Sequence, residues 1–129
     1  MSYTLGKTIN NISFEEAIEK VTAALKTEGF GILNTIDMKA TLKSKIDKDI
    51  KPYMVLGACN PNFAYHALQE ESKIGVFLPC SVIVKENDDA NIEVAVINPN
   101  VLGEVVDNPQ LKPMMAELEQ KMNNFLAEL

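Results

Sequence analysis

The sequence predicts a single α+β domain spanning residues 1–129, with a mixed or antiparallel sheet and helices packed on one face. Three observations carry this. Strand-like and helix-like apolar periodicities alternate through the first half of the chain. Two Val- and Ile-rich runs then flank Asn87-Asp88-Asp89, a turn-forming cluster that reads as a hairpin and not another crossover. A length of 129 residues suits one domain that buries roughly two-thirds of its unfolded surface. The predicted order is β-α-β-α-β-α-β-β-α. The alternation alone also admits a small parallel α/β sheet.

Tyr3 to Ile9 alternates, with Tyr3, Leu5 and Ile9 on one side and Lys7 interrupting them. Ser13, followed by Phe14, Glu15 and Glu16, forms a capping box that opens the first helix. Phe14, Ala17, Ile18, Val21, Ala24 and Leu25 give that helix an apolar face, and Gly29 is placed to end it in a left-handed cap. Phe30 to Ile36 reads as a strand. Asp37 caps a short helix to about Ile46, with Met38, Leu42 and Ile46 as a narrow stripe. Tyr53 to Ala58 is nearly continuous in apolar residues, the pattern of a strand buried on both faces.

Asn60-Pro61 opens the third helix as cap and first residue, and Phe63, Ala64, Ala67 and Leu68 form its inner face. Lys73 to Leu78 reads as a linker. The hairpin strands are Cys80 to Glu86 and Asn91 to Asn98, and the region of Pro99 ends the second. Asn108-Pro109 opens the last helix, in which Leu111, Met114, Met115, Leu118, Met122, Phe125 and Leu129 recur at helical spacing. The methionines read as core or as a dimer contact, because Met fills irregular gaps.

Composition removes several function classes. The net charge is −6 and all 12 basic residues are lysines. Without arginine's planar fork, nucleic-acid binding is disfavoured. No apolar run is long enough to span a bilayer, and Met1 to Asn11 lacks a signal-peptide pattern, so a cytoplasmic protein is expected. In that compartment Cys59 and Cys80 are expected as free thiols. They stand 21 positions apart, matching neither a CxxC motif nor a zinc half-site, so no metal and no cofactor is expected.

Six blocks run in order over nearly the whole chain: Gly29 to Leu33, Ile36 to Lys43, Pro52-Tyr53, Leu56 to Pro61, Ala67-Leu68 and Ile74 to Cys80. On these blocks the chain resembles the bacterial and archaeal domain-of-unknown-function 302 family. The resemblance implies a compact α+β domain grouped with TATA-binding-protein-like folds, and a homodimer. It implies neither DNA binding nor any reaction.

The candidate site lies at Gly57 to Pro61 and its echo at Pro79-Cys80. Cys59 directly precedes the helix opened by Asn60-Pro61, where unpaired N–H groups favour a thiolate and attract anions. The expected ligand is a small anion held by Gly57, Cys59, Asn60, Pro61 and Cys80. Lys39 and Lys43, from a segment that also holds Lys45, Lys48 and Lys51, would supply a cationic rim. Cys59 is the candidate nucleophile should the chain be a sulfur or redox enzyme. Buried cysteines that only pack are the plainer account of the pattern, since free cysteine is among the most buried residue types. His66 points away from the inner face of its helix, towards Glu70.

Overall fold

The computed structural model describes residues 2–129. In chain order the elements are β1 (Thr4–Ile9), α1 (Phe14–Thr27), β2 (Gly31–Asp37), α2 (Met38–Ile46), β3 (Tyr53–Cys59) and α3 (Pro61–Glu70). A 3-10 turn over Ser72–Phe77 follows, then β4 (Cys80–Glu86), β5 (Ile92–Ile97), α4 (Pro99–Val105), a second 3-10 turn at Pro109–Leu111, and α5 (Lys112–Ala127). The strands form one sheet in the order β1-β5-β4-β3-β2, with every neighbouring pair antiparallel. The α+β reading therefore holds, and the parallel alternative is excluded.

The local signals explain the elements. Ser13 Oγ accepts from Glu16 N at 3.1 Å and donates to the Glu16 carboxylate, so the box closes through the hydroxyl. Gly29 adopts φ 85° at the end of α1. Phe30 N then reaches Leu25 O, and Gly29 N reaches Lys26 O, each at 3.0 Å. This is the Schellman arrangement, in which only glycine takes the left-handed position without strain. Asn60, Asn98 and Asn108 each precede a proline and cap the element that follows. Asn98-Pro99 thus opens α4, an extra short helix where the sequence reading placed only the end of a strand. Lys7 shares the inner face of β1 with Leu5 and Ile9, and its ammonium donates to Leu126 O at 3.3 Å. A charge interrupts the apolar alternation because it closes the end of α5.

One continuous core lies between the sheet and the helices. β3 contributes Leu56 and Ala58, β4 Val82 and Val84, and β5 Ile92, Val94 and Val96. α1 meets them with Ala17, Val21 and Leu25, and α5 with Met115, Leu118, Met122 and Phe125. The methionine stripe is core. Three local readings change. β3 is buried on one face only, because its Tyr53 and Val55 point away from that core and remain half-exposed. Leu68 is exposed on α3, and the α2 stripe joins neither core cluster. For β3 the reason is that an antiparallel sheet needs its helices on only one side.

Candidate functional site

Register brings one end of three strands together. Cys59 pairs with Gly31, Ala58 with Cys80, and Gly57 with Ser81. α3 leaves from this corner, so Cys59, Asn60 and Cys80 come together there. Between the corner, the inner face of α3 and the middle of α5 lies a cavity with room for about 40 Å³ of water-sized solvent. Both cysteines border it, together with Phe30, Phe63, Ala67 and Leu118. The aromatic and α5 residues are functional candidates that sequence reasoning missed, since periodicity marks them only as core.

The lining is apolar. Asn60 is the sole polar side chain beside the two cysteines, and both its amide oxygen and its amide nitrogen are engaged. Its Oδ1 accepts from Phe63 N at 3.4 Å, capping α3, and its Nδ2 donates to Glu28 O at 3.3 Å, tying α3 to the end of α1. No cation borders the cavity, so an anion there would lose its hydration without compensation. The remaining predicted residues lie elsewhere. Pro61 opens onto an outer groove that carries Glu28 and Glu117 against a single lysine, Lys121, an unfavourable balance for an anion.

The lysine rim does not form. α2 follows Asp37, which pairs with Met54, whereas Cys59 pairs with Gly31 at the opposite end of β2. Along β3 their partners Met54 and Cys59 are five residues apart, roughly 17 Å at about 3.3 Å per residue. Lys39 Nζ donates to Ile50 O at 2.8 Å, and Lys43 Nζ meets Asp47 at 2.8 Å and Asp49 at 3.5 Å. Both lysines close the α2 connection.

Gly57 faces the other side of the sheet. A Cβ there would overlap Asn34 Oδ1 and approach Pro79 Cγ to 2.8 Å, so glycine is what allows the Asn34 side chain to lie over β3. His66 is exposed on α3, as its phase requires, with its ring 5.4 Å from that of Tyr65 in an edge-to-face pair. Among the described residues no three His, Cys, Asp or Glu side chains gather to hold a metal, and no helix is long and apolar enough to cross a membrane.

The two thiols are free and differ in character. Cys80 is buried, at 8% exposure, and Cys59 is half-buried. Burial, and then the nearby Cys59 charge, push the Cys80 thiol above its ordinary value of 9.0. Iodoacetamide near neutral pH is therefore expected to label Cys59 well before Cys80 in the folded protein, read by peptide mass spectrometry. Equal rates would contradict the burial of Cys80. Below pH 9.0 its thiol is protonated in both folded and unfolded chains, and its contribution to stability is constant. Above that pH the unfolded chain ionises first and binds fewer protons, so this contribution falls as pH rises towards the elevated folded value.

A family model for the domain of unknown function DUF302 matches residues 5–129, nearly the entire chain. The chain belongs to the DUF302 family. A crystal structure of an uncharacterized conserved DUF302 protein from Bacillus stearothermophilus superposes with a TM-score of 0.91 at 26% identity, covering 99% of this chain and 98% of that one. No curated protein matches. The likeness confirms the DUF302 fold, including the antiparallel sheet that forms the cysteine corner. A shared fold carries no chemistry with it, so the function of this DUF302 chain has to be argued from the corner itself.

Proposed function

We propose that this DUF302 chain is a binding module for a small, uncharged molecule of a few heavy atoms, held in the cavity beside Cys59 and Cys80. The observation that carries the reading is that the chain's only two cysteines border one apolar cavity. A space of about 40 Å³ exceeds what one water needs, roughly 10–15 Å³, and its apolar walls offer water few partners. Thiols are soft, polarisable groups that favour a soft or apolar guest over a hydrated ion. Free thiols also suit a reducing cytoplasm. A thiol-dependent reaction would use the same corner, with half-buried Cys59 as its accessible sulfur.

Methyl NMR of the full chain under dissolved xenon, and separately with methanethiol, tests the proposal. Saturable shifts are expected at Ala67, Met115 and Leu118, with none from sulfate or phosphate. Ala67→Val should abolish them by filling the space while the spectrum stays folded. Absence of saturable shifts from both probes in the wild type would remove the basis of the reading. Shifts from the anions alone would move the site to the N-terminus of α3.

A further inference from the structure

The cysteine cavity meets the outside of the molecule along two walls of different kind. On one side, a groove of about 540 Å³ follows the seam between α3 and α5, past Asn62, His66, Glu70, Met114 and Glu117. Among the described residues, Phe63 alone borders both this groove and the cavity. The outer groove past Pro61, of about 490 Å³, meets the cavity at Phe63 and Asn60. Asn60 is held by its bonds with Phe63 N and Glu28 O, so only the Phe63 ring is free of hydrogen bonds in this wall.

The other wall faces a groove of about 420 Å³ on the open side of the sheet, and Phe77, Leu78 and Cys80 stand in it together. Cys80 belongs to β4, and Leu78 packs against both hydrophobic clusters. Opening that side means shifting a strand residue and a side chain locked into two close-packed clusters. Opening the first side means turning one ring.

We propose that Phe63 is the door of the cavity: its ring swings outward, admits a small guest from the α3–α5 groove and closes behind it. The inference rests on the cavity being the binding site, and adds how that site is entered. The hinge is fixed. Phe63 N donates to Asn60 Oδ1 at 3.4 Å and Ala64 N to Asn60 O at 2.9 Å, so the backbone stays in the first turn of α3 while the ring moves. The ring has somewhere to go, because it is only half-buried and both outer grooves are open space. Staggered wells about its first side-chain torsion give it discrete open and closed positions. The approach also selects. The α3–α5 groove holds Glu70 and Glu117 and no lysine, so its field turns anions away and leaves neutral molecules unaffected.

Two measurements on the full chain test the door. In the methyl NMR of Ala67, Met115 and Leu118 with methanethiol, Phe63→Leu is expected to speed entry and exit together by roughly tenfold, with Kd nearly unchanged. A residue that only packs would alter Kd or stability and not both rates in parallel. The second measurement needs no guest. Iodoacetamide labelling of Cys80, read by mass spectrometry, should rise by roughly tenfold in Phe63→Leu and stay level in low urea, as a local opening does and global unfolding does not. With a wild type that binds methanethiol, an unchanged rate in either measurement overturns the proposal. So does a larger acceleration in Phe77→Ala, which would put the entrance at the 3-10 turn. Should methanethiol not bind the wild type, the binding reading falls and labelling decides the door by itself: faster labelling of Cys80 in Phe63→Leu supports it, and equal labelling overturns it.

Discussion

Phe125→Ala is expected to destabilise the chain by about 3–5 kcal/mol, the cost of emptying a large buried aromatic site. Phe125 has 0% exposure and sits in the last turns of α5, packed into the main cluster with α1 and the central strands. Domains of this size are stable by about 5–15 kcal/mol, so the loss would be a large share of the total. The melting temperature should fall by roughly 10–20 °C. Tyr65→Ala offers the contrast. At 61% exposure its removal is expected to stay within about 0.5 kcal/mol. Paired urea titrations settle the matter: comparable midpoints for the two variants would mean that α5 does not complete the core.

The second large effect is expected at Gly57. Gly57→Ala should cost about 1–3 kcal/mol through overpacking, because the new methyl collides with Asn34 and with Pro79, and the proline ring cannot swing away. Cys80 follows Pro79 directly, so a displaced ring is also expected to accelerate alkylation of Cys80. Asn34→Ser combined with Gly57→Ala should recover part of the loss, since the two side chains compete for one space. Strict additivity, or a Gly57→Ala protein as stable as the wild type, would show that the close approach is not what demands glycine.

Much of the fold was legible before any coordinates. Ser13 with Glu16, Asp37, Asn60-Pro61 and Gly29 are short-range signals, read by the backbone within one helical turn, and each marks a boundary where it was expected. The methionine stripe of α5 was legible as core for the same reason. Asn98-Pro99 carried the same signal and was passed over because the Val- and Ile-rich strand before it dominated the pattern.

The site was only half legible. Cys59 and Cys80 could be singled out by rarity and by their neighbours, and the register of β3 with β4 does bring them to one corner. Lys39 and Lys43 were close in sequence to that corner and far from it in space, because β3 runs the full length of the sheet between them.

The amino-acid sequence by itself determined most of the element boundaries and caps, the inner faces of α1 and α5, and membership in the DUF302 family. These depend on interactions between residues a few positions apart, or on patterns summed along the chain. Only the tertiary structure decided that the cysteine corner encloses an apolar cavity without a cation, and that the apolar residues of β3 divide between a buried face and an open one. Both depend on which strands become neighbours. Strand order brings together residues as distant as Ile36 and Ile97, and no local periodicity records it.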